Sequence, residues 1–281
     1  MRRAMNGVYV ALALVALATA APAAQWLKQP TQGIPRTADG QANLTAPAPR
    51  LPDGKPDLSG LWQPAAILIG DLAANLPAGS VPYQPWAEKL YKERRANDGR
   101  DDPTANCIVG GVPRSDAVPY PFKILHEKNL MVILYEAVHS YRQIFADGRS
   151  LPEDMNPSWF GYSVGRWDKD TFIVETAGFN DKGWLDNFGK PATDKLRVTE
   201  KFVRKDFGHM DILITIDDPG AYTKPWDVTL PLILRPDTEL LEYICNENNK
   251  YFDIIPKAGT NWPTLPNQFE RSLRCVLRSS S

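Results

Sequence analysis

Two segments in the middle of the chain alternate at period 2, which restricts the chain there to β structure. They are residues 171–179, Thr-Phe-Ile-Val-Glu-Thr-Ala-Gly-Phe, and residues 196–204, Leu-Arg-Val-Thr-Glu-Lys-Phe-Val-Arg. Side chains on a strand point alternately to opposite faces, so Leu196, Val198 and Phe202 share one face. Glu200 and Arg204 fall on that same face. A carboxylate and a guanidinium facing inward are costly unless paired or used. The pattern predicts a barrel or cupped sheet with charge in its interior.

The N-terminus predicts a secretory signal peptide over residues 1–24. Arg2 and Arg3 form a basic start, Val8 to Ala18 is apolar, and Ala18-Thr19-Ala20 and Ala21-Pro22-Ala23-Ala24 offer small-residue cleavage sites. The apolar run falls short of the roughly 20 residues needed to span a bilayer. A periplasmic or secreted protein is expected, with no integral membrane segment after cleavage. The net charge is −1 and no basic stripe occurs, so nucleic acid is not an expected partner. The three cysteines, Cys107, Cys245 and Cys275, allow one intrachain disulfide in an oxidising compartment, with three pairings open. There is no CxxC, and none of His126, His139 and His209 has a histidine partner at helical spacing, so no metal or cofactor is expected.

Residues 25–57 lack periodicity and read as an extended arm, a candidate surface for docking a partner. Residues 58–281 read as one domain. Its best helix lies within 82–97, with Pro85 near the start and Trp86, Ala87, Leu90 and Tyr91 at helical spacing. From Phe122 the chain reads as strands: Leu130–Glu136, Tyr141–Phe145, Trp159–Trp167, Thr171–Phe179, Leu196–Lys205, Met210–Asp217, Trp226–Leu234 and Glu239–Cys245. The last two are expected to form a hairpin across Arg235-Pro236-Asp237. The predicted fold is mainly β, an antiparallel meander closing into a lipocalin-like barrel, with one helix and a long N-terminal arm. Closure would remove the exposed edges.

Several segments together resemble a family of uncharacterised secreted proteins of proteobacteria and acidobacteria. They are Arg36-Thr37-Ala38-Asp39-Gly40, Pro56-Asp57-Leu58-Ser59-Gly60-Leu61-Trp62, Tyr162-Ser163-Val164-Gly165-Arg166-Trp167, Glu175-Thr176 with Gly178-Phe179-Asn180-Asp181, and Glu242-Tyr243-Ile244-Cys245-Asn246-Glu247-Asn248. Members of that family carry a His-Ser pair in the loop before the Leu196 strand, where this chain has Pro191-Ala192-Thr193. Gly60-Leu61-Trp62 also resembles the first strand of the lipocalin-like (calycin) barrels. That resemblance implies a late arginine packed over Trp62, with Arg271, Arg274 or Arg278 available.

Five constellations could carry chemistry. Glu200 with Arg204 could orient a substrate carboxylate or supply a general base; the plainer alternative is a structural ion pair closing the barrel end. Asn180, Asp181 and Trp184 lie in a loop suited to a polar ligand, or to a self-capped turn. His209 beside Asp211 could be an oriented base, or a solvated hairpin histidine. Asp217 and Tyr222 flank an Asp-Pro-Gly turn, and Asp218 fits the turn itself. Glu247 shares the face of Tyr243 and Cys245 by alternation. No nucleophile elbow, phosphate loop or dinucleotide fingerprint is present.

The expected function is cofactor-independent acid–base chemistry (lyase, isomerase or hydrolase) on a polar or aromatic small molecule. Glu200, Asp181, His209 and Tyr222 are the proton-transfer candidates; Arg204, Asn180, Trp184, Asp211, Asp217 and Glu247 are the substrate-binding candidates. The alternative is a lipocalin-like barrel that binds a small molecule without turnover.

Overall fold

The computed structural model describes residues 31–245 apart from Ile67 and Ile69. The signal segment, Glu247, Cys275 and the three late arginines lie outside the described residues. Nine strands close into a barrel in sequence order: β1 Gly60–Pro64, β2 Phe122–Glu127, β3 Leu130–Tyr135, β4 Ser140–Phe145, β5 Tyr162–Asp168, β6 Thr171–Ala177, β7 Arg197–Arg204, β8 His209–Asp217 and β9 Trp226–Leu234. β9 pairs with β1, Trp62 opposite Leu234, so no strand edge remains open.

The meander is antiparallel except at one seam. β4 and β5 run parallel, paired at Ile144–Ser163 and Phe145–Val164. Parity requires this: strands that alternate in direction around a closed ring must be even in number, so a ring of nine contains a parallel neighbour pair. A parallel pair cannot be joined by a hairpin, and residues 146–161 carry the chain back from one rim to the other.

Alternation sorts the side chains as the sequence implied. On β7, Val198, Glu200, Phe202 and Arg204 are buried while Arg197 and Lys201 are exposed. The lumen is filled by Phe122, Ile124, Met131, Ile133, Ile144, Phe172, Val174, Val198, Phe202, Met210, Ile212 and Ile216, each 0 % exposed, so no water-sized space touches them. Gly165 on β5 is part of this fit: a methyl group there would collide with the Phe172 ring.

The two rims are closed differently. At the hairpin rim, residues 31–57 fold back onto the turns of their own barrel. Leu44 and Ala46 accept backbone hydrogen bonds from Gly208 and Phe207, Arg36 pairs with Asp237, and Arg50 pairs with Asp170 at 2.8 Å. Arg204 sits here, its guanidinium 5.0 Å from the Trp62 ring centre. It donates to the carbonyls of Asp57, Asp206 and Phe207. Among the described residues, the arginine over Trp62 comes from β7. At the opposite, lid rim lie the long β1–β2 connection, with helix α1 Pro85–Ala96 and the helical turn Arg114–Ala117, and the loops 178–196 and 218–225.

The segment Glu239–Cys245 is not a strand. Both edges of β9 are already taken by β8 and β1, leaving no ladder for a hairpin partner. The segment runs along the outside instead. Leu241 N–H donates to Glu136 and Tyr243 N–H to His139, and Cys245 is disulfide-bonded to Cys107. No helix among the described residues is long and apolar enough to cross a membrane.

Candidate functional site

Where the apolar lumen meets the lid rim, six polar side chains converge. Tyr135 ends β3, Arg142 and Ser163 stand near the starts of β4 and β5, and Thr176 lies near the end of β6. Glu200 on β7 sits one step deeper, opposite Val174. Asp116 is the only one not on the barrel wall; it belongs to the Arg114–Ala117 turn that covers the rim. All six are buried, Asp116 and Glu200 completely.

Arg142 organises the cluster. Its Nη1 donates to Glu200 Oε1 at 3.1 Å and its Nη2 to Glu200 Oε2, a two-point pairing that suits the guanidinium fork. Nε donates to Ser163 Oγ at 3.0 Å, Nη2 also to Thr176 Oγ1 at 2.8 Å, and the two hydroxyls bond each other at 3.0 Å. Burial opposes the Arg142 charge, but Glu200 more than offsets this, so the guanidinium pKa is raised. Tyr135 Oη donates to Asp116 Oδ1 at 2.6 Å. Asp116 Oδ2 lies 3.9 Å from Arg142 Nη1 and accepts no hydrogen bond; as the neutral acid, Asp116 has Glu200 as a hydrogen-bond partner. Burial, and then the neighbouring Glu200 charge, push the Asp116 carboxyl up to about 8, so it holds its proton at neutral pH.

The expected pairing of Glu200 with Arg204 does not form. Four residues along a strand separate the two by about 13 Å. Glu200 reaches the lid-rim cluster, whereas Arg204 is tied to carbonyls at the hairpin rim. His209 is not oriented by Asp211 either. Both point outward on β8, and Asp206, curling back in the turn, accepts from His209 Nδ1 at 2.8 Å while Asp211 pairs with Lys205 at 2.7 Å. Asn180 caps its own turn by accepting from Lys182 N–H, and Asp181 is exposed at positive φ. Trp184 is buried with Arg94 over its ring at 4.4 Å, so its face is not open for stacking. Tyr222 is buried and donates to Pro191 O at 2.9 Å; burial raises its pKa well above the ordinary value. Asp217 is half-buried at the end of β8, and Asp218 accepts from Thr193 N–H and hydroxyl and from Gly220 N–H.

A second buried cluster holds the lid together. Lys190 Nζ donates to Asp186 at 2.8 Å and to Asp71, and lies 5.0 Å from the Tyr91 ring of α1. Leu72 N–H donates to the same Asp186 carboxylate. Tyr83 stacks on Tyr91 and contacts Tyr222. These contacts join the loops 65–84 and 178–196 to the helix.

Arg142, Asp116, Tyr135, Ser163 and Thr176 were not singled out from sequence. Arg142 could have been: it shares the inward face with Ile144 by the same alternation that marks Glu200. Asp116 has no comparable signal, since it lies in a Gly- and Pro-rich segment without period.

Fold and site together define a closed mainly-β barrel with a buried ionic cluster under one rim. Comparison with protein-family models, with curated proteins and with solved structures returns no match.

Proposed function

We propose that this protein is a small-molecule-binding barrel whose ligand sits at the lid rim, between the Arg114–Ala117 turn and the Arg142 cluster. One observation carries the reading: a convergent group of donors and acceptors is built into an otherwise apolar interior, under a cover that belongs to a loop. Ligand sites typically join apolar walls to a few placed polar groups. Here the apolar wall is the partly buried Phe160, stacked on Tyr135 at a ring separation of 5.5 Å. The filled lumen below limits the ligand to a small polar or aromatic molecule. The four expected proton-transfer residues do not meet in one place, which favours binding over turnover by that set.

A second reading, acid–base catalysis at the same place, is favoured by Asp116: a neutral carboxyl beside an anchored anion and cation is the arrangement of a general acid. One experiment addresses both. Thermal unfolding is followed against a panel of phenols, aromatic and aliphatic acids, amides and sugars, and each stabilising compound is re-isolated by mass spectrometry. A saturable rise in Tm with the compound returned unchanged supports binding. Conversion that is abolished by Asp116→Asn replaces binding with catalysis. A panel in which nothing shifts Tm refutes the proposal.

A further inference from the structure

We infer that the outer face of strands β2, β3 and β4 is an interface whose partner is a second copy of this chain. The two copies are related by a two-fold axis that runs across the three strands through Leu125, Val132 and Gln143. This interface is separate from the lid-rim site and does not depend on it.

The closed barrel has no open edge, so a partner cannot add a strand to it and must pack on a face or a rim. Alternation turns three residues of each of these strands outward, and the ladder sets them in three rows. The row nearest the lid rim is Lys123, Leu134 and Tyr141. The middle row is Leu125, Val132 and Gln143, and the row nearest the hairpin rim is Glu127, Leu130 and Phe145. Six of these nine are apolar, whereas on the outside of β7 and β8 Arg197, Thr199 and Lys201 stand beside Asp217, Thr215 and Leu213. Tyr141 is 65 % exposed, the most of any large hydrophobic side chain among the described residues, and Leu125 is 43 % exposed. A contiguous apolar patch flanked by charge marks a contact surface.

The rows are complementary to themselves. A two-fold axis along the middle row stacks β2 on β2 with reversed direction and exchanges the two outer rows. Lys123 of one copy then faces Glu127 of the other, and the same ion pair repeats on the far side of the axis. Leu134 faces Leu130, and Tyr141 faces Phe145 together with the Arg149 guanidinium that lies 4.1 Å from the Phe145 ring. Leu125, Val132 and Gln143 each meet their own counterpart. An axis along the strands would instead press Glu127 against Phe145 and leave Lys123 without a carboxylate of the other copy, so charge selects the first arrangement. Lys123 also lies 3.3 Å from Glu239 of its own chain, but that pair is exposed and such pairs are weak. Three strands present less area than stable complexes bury, so the expected dissociation constant is on the order of 10–100 µM.

The test exchanges the charges. Sedimentation velocity of the purified protein is run from about 2 to about 500 µM, which brackets the expected constant, and wild type should pass from monomer to dimer. Glu127→Lys sets two lysines against each other across the axis, and Lys123→Glu two glutamates, so each should weaken the dimer at least about tenfold. Combining them restores opposite charges, and the double variant should return to within about threefold of wild type. A purely structural role for Lys123, through Glu239, gives no such rescue. A second readout uses Leu125→Cys, on the axis, in a Cys275→Ser background that leaves only the Cys107–Cys245 disulfide besides the introduced thiol. A bismaleimide with a reach of about 10 Å, the spacing of stacked sheets, should link two copies, whereas Leu213→Cys on β8 should not be linked. A wild type that stays monomeric throughout overturns the inference, as does a dimer indifferent to Glu127→Lys or a double variant without rescue. A monomer whose introduced thiol at Leu125→Cys resists maleimide has this face covered by its own chain, and that too overturns it. Should Lys123→Glu fail to fold, the cross-link decides alone: linkage through Leu125→Cys supports the interface and its absence refutes it.

Discussion

The Arg142–Glu200 pair gives an asymmetric prediction. Arg142→Met removes the cation and leaves Glu200 buried, with no other cation paired to it among the described residues. Breaking a buried pair from one side costs about 3–5 kcal/mol, most of it the stranded charge. The hydroxyls of Ser163 and Thr176 still bond each other, so they add little. Glu200→Gln removes the anion instead and strands Arg142. Asp116, 3.9 Å from that guanidinium, can then lose its proton and restore neutrality. The expected cost is smaller, about 1–3 kcal/mol. Arg142→Met with Glu200→Gln removes both charges, and the double variant should be less costly than the sum of the two singles by at least about 2 kcal/mol. Urea unfolding followed by fluorescence and far-UV dichroism gives these values, provided the slope m stays constant across the set. The reasoning is refuted if Arg142→Met costs less than about 1 kcal/mol, or if Glu200→Gln costs more than Arg142→Met.

Three further perturbations are informative. Asp116 holds its proton up to about pH 8 when folded but releases it near pH 4 when unfolded. Its contribution to stability is therefore fully present below pH 4 and lost as the pH rises toward 8, with a slope of at most about 1.4 kcal/mol per pH unit. Asp116→Asn should flatten that part of the wild-type curve, and parallel curves would contradict the assignment. Arg204→Lys keeps the charge but loses the planar fork that reaches several carbonyls and covers Trp62. A loss of about 1–3 kcal/mol with a shift in tryptophan emission is expected, and unchanged emission would count against the contact. Replacing Cys107 and Cys245 by serine opens a loop of 138 residues, for which chain entropy gives a loss of up to about 5 kcal/mol. Limited proteolysis should then cut residues 235–245 faster than in the wild type, and an unchanged rate would show that the strap holds without the bond.

Much of the barrel was legible in the sequence because its period is written residue by residue. The strands expected on either side of Asp168-Lys169-Asp170 and of Asp206-Phe207-Gly208-His209 do pair, with His209 already in β8, and helix α1 falls where the pattern puts it. The burial of Glu200 followed from counting alternate positions. The missed pairing shows the limit of that count. Alternation gives the face of a side chain but not the height at which a distant strand crosses it, so Arg142, 58 residues away, was invisible as the partner of Glu200. The misplaced strand at Glu239–Cys245 has a related cause: local sequence can favour an extended chain, but only the closed ring shows that β9 has no free edge. Asp116 was hidden for a third reason, since a segment held by tertiary contacts carries no period to read.

The odd strand number has a mechanical consequence. A ring of alternating strands can be cut anywhere with equal loss, but this ring has a preferred place to part. The parallel seam is paired only at Ile144–Ser163 and Phe145–Val164, the shortest ladder in the wall. The Arg142 side chain of β4 bonds the Ser163 hydroxyl of β5 across it, and Thr176 and Glu200 draw β6 and β7 into the same knot. The ionic cluster is thus a rivet set where the hoop is weakest. Whatever loosens that rivet should show first as faster amide exchange in β4 and β5, with the remaining staves still closed.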